Sequence, residues 1–172
     1  MVSVGATGFI MSGIVLAGVT FVAGWPKFLK DFLAWKMGGE FLGEEGVILQ
    51  DKYNNCGPAA LQMVFDFYGV QSSIRQIEES LPLSKKGSSM FSLKLLAEKK
   101  GLKAKGWRLT LKDLPNTPMP AVLFVHGDHF VVADSVSSDG DFFLRDPALG
   151  RLKVPQRNIR RIWHGETLVF SP

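Results

Sequence analysis

Residues 49–69 read LQDKYNNCGPAALQMVFDFYG and contain the single cysteine of the 172-residue chain. Gly57 and Pro58 follow Cys56, and apolar residues then recur at helical spacing as far as Gly69. Proline suits the first turn of a helix and glycine its end, so the stretch predicts a helix that begins close to Cys56. The helix dipole and the unpaired amides at a helix N-terminus favour a thiolate. Cys56 is therefore a candidate nucleophile, although free cysteines are also among the most frequently buried residues.

A nucleophilic cysteine needs a base, and three histidines are the candidates. His129 opens a predicted strand after a tight HGD connection, His126 ends the preceding strand, and His164 lies near the C-terminus. The side chain of His129 can therefore stand at the mouth of a sheet, although a lone histidine is usually structural. Asp146 closes the strand expected to pair with that of His129, where a carboxylate can orient an imidazole. Asp-Pro is also a common start of a turn, which is the alternative for Asp146.

The order of the predicted elements indicates a segregated α+β architecture, because the first half reads as helices and the second half as strands. Helices are predicted over 56–69, 73–81 and 89–101 from their caps and apolar spacing. Strands are predicted from β-branched and aromatic residues and from turn signals between them. They cover residues 102–109, 119–125, 129–136, 141–146, 151–154 and 166–170.

The N-terminal segment has a different character. Residues 1–26 carry no charged side chain, and the apolar run predicts one transmembrane helix over residues 1–24. A cleaved signal peptide is the competing interpretation, but no lysine or arginine precedes Lys27. Residues 25–46 are predicted to form an interfacial amphipathic helix and a linker, with a helix packed on its own domain as the alternative. The lysines that follow the span predict a cytoplasmic location for the domain at 47–172.

Composition narrows the classes of function. The formal net charge is +4, but the basic residues are scattered among acidic ones, which does not indicate a nucleic-acid partner. One cysteine excludes an internal disulfide, and three histidines with one cysteine show no metal-ligand spacing. We therefore expect neither a metal nor a cofactor.

Three blocks of the sequence together resemble a known family. LQDKYNNCGPAAL, MPAVLFVHGDHFVVADSV and FFLRDPALGRLKV are similar to the motifs of the bacteriocin-processing, double-glycine leader cysteine peptidases, a branch of the papain-like fold. The similarity spans about residues 47–160 and implies an α+β fold in which N-terminal helices pack on an antiparallel sheet. It also implies that Cys56 is the nucleophile, His129 the general base and then acid, and Asp146 the orienting carboxylate. Gln50, six residues before the cysteine, would be an oxyanion-hole donor; a solvated loop amide is the alternative.

The resemblance predicts a membrane-anchored cysteine endopeptidase that cleaves a peptide or small precursor protein by acyl-enzyme chemistry. The best-known members are N-terminal domains of export ATPases and cut leader peptides after a Gly-Gly pair. No Walker A motif occurs in this sequence, so a stand-alone form is expected, acting beside a separate export ATPase or on another peptide. The expected partners are a peptide substrate, membrane lipid through the N-terminal span and such a transporter. Two alternatives stay open: a peptide-binding module that does not cleave, and a thiol acyltransferase or amidase on the same fold.

Overall fold

The computed structural model describes residues 25–82 and 84–172. The helices are α1 (Lys27–Lys36), α2 (Cys56–Phe67), α3 (Ile74–Ser80), α4 (Met90–Lys99) and α5 (Gln156–Ile162), with a short 3₁₀ turn at Leu114–Asn116. The strands are β1 (Glu40–Gly43), β2 (Lys103–Arg108), β3 (Ala121–Val125), β4 (His129–Val136), β5 (Phe142–Asp146), β6 (Gly150–Val154) and β7 (Trp163–Ser171). The helices expected after Cys56 and the strands that follow them are present.

The strands form one seven-stranded sheet in the order β1-β6-β5-β4-β3-β7-β2. Every neighbouring pair in it is antiparallel. The predicted α+β class, with helices packed on an antiparallel sheet, is therefore confirmed. Because β4 and β5 are antiparallel neighbours, the start of β4 and the end of β5 lie at the same edge of the sheet, with Val132 paired to Arg145.

Successive side chains of a strand point to opposite faces of the sheet, and the central strands use this alternation to build two apolar cores. On one face, Val122, Val132 and Leu168 pack with the apolar residues of α2, α3 and α4. On the other face, Leu123 and Val131 pack with residues of α1 and α5. The sheet is thus covered by helices on both faces, and only the first of these layers was predicted.

The start of α2 is pressed closely against its neighbours. A Cβ atom built on Gly57 would lie 2.1 Å from Ser88 Oγ and 3.3 Å from the Phe130 ring. No residue with a side chain fits there without displacing these groups, since real Cβ atoms essentially never approach so near. The glycine after Cys56 therefore allows the N-terminus of α2 to sit against β4, which begins at His129.

Helix α1 is present where a helix was expected, and it packs on the sheet through Lys30 and Ala34. Ala34 is fully buried, and Lys30 is 1% exposed with its ammonium paired to the Glu44 carboxylate. The aromatic side chains of Phe28, Phe32 and Trp35 are exposed instead. A small residue at the contact lets the helix approach the sheet closely, and the ion pair compensates for the burial of the lysine.

The segment after α1 was expected to be a flexible linker, but it contains β1, which extends the sheet by pairing with β6. Two hydrogen bonds fix the turn between α1 and β1. The Gly39 amide donates to the Ala34 carbonyl at 2.8 Å, and Asn158 Nδ2 donates to the Gly38 carbonyl at 2.6 Å. Hydrophobic patterning does not reveal this edge strand, because it is only four residues long and only partly buried.

The predicted location, a single-pass membrane protein with its domain in the cytoplasm, is corrected by the structure. Within residues 25–82 and 84–172, no helix combines the length and the apolar character needed to cross a membrane. The span predicted over residues 1–24 lies outside the described residues. The membrane-lipid partner was inferred from that span alone and is not proposed further.

Candidate active site

Cys56 is the first residue of α2 and is 6% exposed. Burial by itself raises the pKa of its thiol. The hydrogen bond and positive charge of His129 act in the opposite direction, and the backbone amides of Phe130 and Gly57 add to them. The net effect holds the pKa of Cys56 below its ordinary value. The local environment thus favours a thiolate, chiefly through His129, with the Gly57 amide at the helix start as the smallest contribution.

His129 is the first residue of β4, and Asp146 is the last residue of β5. His129 Nε2 lies 2.8 Å from Asp146 Oδ1, which leaves Nδ1 of the ring for Cys56. Burial lowers the pKa of His129, but the Asp146 charge and hydrogen bond, with those of Cys56, raise it to about 10. The charge of Asp146 and the contact with Cys56 therefore favour the protonated form of the imidazole.

The Asp146 carboxylate is itself fixed in position. It is 1% exposed, and its Oδ1 atom also accepts a hydrogen bond of 2.7 Å from the Ala148 amide, inside the Asp-Pro turn. The two interpretations of this aspartate, turn former and partner of the histidine, therefore both hold. A carboxylate oriented in this way can hold the histidine ring in one rotamer and one tautomer.

Gln50 lies beside this group of residues because its backbone amide donates a 2.8 Å hydrogen bond to the Pro147 carbonyl. Its side chain lines the same cleft as His129 and Asp146. Nε2 donates to the Lys52 carbonyl at 3.0 Å, and Oε1 is buried with no hydrogen-bond partner among the described residues. One of the two Nε2 hydrogens is left for a group in the cleft.

The loop between Gln50 and Cys56 is stabilised by a buried asparagine that the sequence did not single out. Asn55 is fully buried, and its Nδ2 donates to Asp51 Oδ1 at 2.6 Å and to Glu78 Oε1 at 2.7 Å. Its Oδ1 accepts from the Lys52 amide at 3.1 Å. These contacts set the position of the cysteine relative to Gln50. The signal that could have located Asn55 is its place immediately before the helix, where asparagine is a preferred residue.

The other two histidines lie differently. His126 is on the rim of the cleft and is the one non-glycine residue of the described chain with a positive φ, of 56°. His164 is exposed on β7 and does not line the cleft. Tyr53 and Asp128 border the site, although the sequence did not single them out. No cluster of three or more metal-binding side chains occurs within the described ranges.

The sequence and the fold are both similar to known proteins. The profile of the peptidase C39 family matches residues 44–172. An uncharacterized protein of Methanothermobacter marburgensis is 34% identical over 131 residues, which cover 76% of this chain and 92% of that protein. The probable microcin-H47 secretion/processing ATP-binding protein of Escherichia coli is 29% identical, with the match covering 73% of this chain and 18% of the transporter.

Among solved structures, a double glycine motif protease from an AMS/PCAT transporter, crystallised in complex with the leader peptide, superimposes with a TM-score of 0.70. It is 30% identical, and the match covers 73% of this chain and 90% of that one. The family match extends over three quarters of the chain and includes all the residues described above, from Gln50 to Asp146. The chain belongs to the peptidase C39 family.

Proposed function

We propose that this protein is a cysteine endopeptidase whose nucleophile is Cys56 and whose general base and acid is His129. The observation that carries the proposal is the continuous contact from the Cys56 thiol through the His129 ring to the buried Asp146 carboxylate. An activated nucleophile is recognised by this geometry, in which a base touches the nucleophile and a third group orients the base.

The first half of the reaction forms an acyl-enzyme. The Cys56 thiolate attacks the carbonyl carbon of the scissile amide, and the carbonyl oxygen becomes negative in the tetrahedral intermediate. The second N–H of Gln50 stabilises that oxygen by a hydrogen bond. His129 then gives its proton to the departing amine, the C–N bond breaks, and a thioester with Cys56 remains.

The second half returns the enzyme to its starting state. Neutral His129 takes a proton from a water molecule, and the resulting hydroxide attacks the thioester carbonyl. The C–S bond breaks, the thiolate is restored beside the protonated histidine, and the carboxylic acid product leaves. Asp146 keeps the ring aligned through both halves, because its carboxylate is fixed by the Ala148 amide as well as by His129.

The proposed substrate is a peptide or a small precursor protein that carries a leader ending in a Gly-Gly pair. Its support is the similarity to a double glycine motif protease solved with its leader peptide. A separate export ATPase is the proposed partner, since several relatives are ATP-binding proteins of secretion and processing systems. A retained nucleophile, base and carboxylate in contact favour cleavage over peptide binding alone.

The test is to incubate the full chain with a peptide that contains one Gly-Gly pair and to identify the products by mass spectrometry. Cleavage after the pair is expected, with no cleavage by the Cys56→Ala or His129→Ala variants. His126→Ala is the matched control, because His126 borders the cleft without contacting Asp146, and it should retain activity. Release of a product only when a primary amine is added, and never with water, would instead identify an acyltransferase.

A further inference from the structure

The cleft beside His129 has a volume of about 510 Å³. Tyr53 and Asp128 border both this cleft and a second one of about 620 Å³ that contains Cys56. The reacting groups therefore lie where two lobes of one groove meet, and a peptide bound across them would have one flank in each lobe.

Part of the wall of the first lobe comes from a segment that precedes the matched family domain. Trp25, Leu33, Lys36 and Met37, from α1 and its two ends, line the lobe together with Gln50, His129 and Asp146. The family profile begins only at residue 44. The segment 25–37 is therefore an addition to the matched domain, and it reaches the candidate site.

The wall is mainly apolar. Trp25, Leu33 and Met37 are each only partly buried by their packing on the core, so part of each side chain faces the lobe. Ala148 and Leu149 continue the apolar lining from the other side. A groove of this kind gains free energy by removing an aliphatic side chain of a bound peptide from water.

The wall is also fixed to the sheet. Three kinds of contact hold α1 in place. They are the burial of Ala34, the ion pair of Lys30 with Glu44, and the hydrogen bonds at Gly38 and Gly39. A surface held in this way is already ordered before the ligand binds. Less conformational entropy is therefore lost on binding.

We propose that segment 25–37 is a specificity wall that recognises an aliphatic side chain of the substrate peptide, on the flank that lies in the first lobe. This inference rests on the proposed function only for the identity of the ligand as a peptide. The occupant is a peptide because the wall is continuous with the groups that would cleave it. Leu33 and Met37 contact the aliphatic side chain, and Lys36 stands at the rim.

The test measures binding without cleavage, using the full chain with Cys56→Ala. The probes are synthetic decapeptides of alanine and serine with a central Gly-Gly pair and a C-terminal fluorescein, each with one alanine replaced by leucine. We expect leucine to lower the Kd about tenfold at one or two positions on one flank, the scale of a few methylenes in an apolar pocket. Leu33→Asn and Met37→Asn, each in the Cys56→Ala background, should remove that gain.

Phe32→Asn is the matched control, because Phe32 neighbours Leu33 on the same helix but is 48% exposed and lies outside the cleft. It should keep the preference for leucine. Leu33 also contacts the core, so thermal unfolding of each variant is measured, and Met37→Asn provides a second, independent position. The inference would be overturned by the absence of any leucine preference, by an equal loss in Phe32→Asn, or by tighter binding when Leu33 or Met37 is changed.

Hydrolysis of the same peptides by the chain with Cys56 intact is followed separately. If the wall discriminates among the peptides but none is cleaved, the proposed peptidase activity is contradicted and the proposed role of segment 25–37 is kept. If the peptides are cleaved without any preference for leucine, the proposed role of segment 25–37 is contradicted and the proposed peptidase activity is kept.

Discussion

Replacement of Asp146 by asparagine is expected to disable the site while leaving the cysteine and the histidine in place. The change keeps the size and shape of the side chain but removes its charge. The Asp146 carboxylate lies 2.8 Å from His129 Nε2 and is 1% exposed, so little solvent screens the interaction. The His129 side chain is 18% exposed.

The magnitude follows from the pKa of His129, which is raised from 6.5 to about 10. At about 1.4 kcal/mol per unit, this rise corresponds to roughly 5 kcal/mol of preference for the charged ring. Asp146 contributes more of the raising effect than Cys56 does. If Asp146→Asn removes most of this preference for the charged ring, kcat/KM should fall by about 10³ to 10⁴. This is the scale seen when the orienting carboxylate of a catalytic triad becomes an amide.

In the native protein His129 stays protonated until the pH rises through about 10, and its positive charge lowers the pKa of Cys56. Without the carboxylate, burial dominates and lowers the pKa of His129, so the ring becomes neutral at lower pH. The thiol then loses its cationic partner, and the pKa of Cys56 rises. Thiolate reactivity should therefore fall most on the acidic side, near pH 6.

The assay has two readouts. The first is kcat/KM on a fluorogenic Gly-Gly peptide. The second is the rate of alkylation by iodoacetamide between pH 5 and 10, which reports Cys56 alone because it is the only cysteine of the chain. Asp139→Asn is the matched control, since Asp139 is an exposed carboxylate that lines neither lobe of the groove. If Asp146→Asn kept an unchanged pH profile and a kcat/KM within a factor of about three, the reasoning from charge would be refuted.

Two further changes test the remaining parts of the site. Gln50→Ala should lower kcat by about 10² to 10³ with little change in KM, because an oxyanion donor acts in the transition state; a change in KM alone would point to substrate binding instead. Gly57→Ala should lower the free energy of unfolding by about 1 kcal/mol or more, because the added Cβ would lie 2.1 Å from Ser88 Oγ. Ser88→Ala in the same chain should recover much of that loss in thermal unfolding, and no recovery would assign the cost to Phe130.

The helix that begins at Cys56 and the strand that begins at His129 could be predicted from the sequence. Their signals are local: a proline in the first turn, apolar spacing, and β-branched runs bounded by turns. Local sequence separates the three histidines less clearly, because His126 and His129 are three residues apart and both border the cleft. The structure separates them, because His129 Nε2 lies 2.8 Å from Asp146 Oδ1, at the edge where the antiparallel strands β4 and β5 meet.

Helix α1 shows what sequence patterning leaves open. Its amphipathic pattern fitted both an interfacial helix and a helix packed on its own domain; in the structure Phe28, Phe32 and Trp35 are exposed while Lys30 is buried. An amphipathic pattern tells which residues share a face, but it does not tell which face a neighbouring sheet can accommodate. Here Ala34 permits close approach, and Glu44, fourteen residues after Lys30 in the sequence, supplies the charge that the buried lysine needs.

The sequence by itself determined the local features on which the proposed chemistry depends: a cysteine at a helix start, a histidine at a strand start and an Asp-Pro turn, in an order that resembles one family. These features are encoded in short stretches, because capping, strand periodicity and turns depend on neighbouring residues. Only the tertiary structure decided what surrounds that chemistry. The second helical layer, the Asn55 contacts and the apolar wall at residues 25–37 depend on residues distant in sequence, whose approach is set by the packing of the whole sheet.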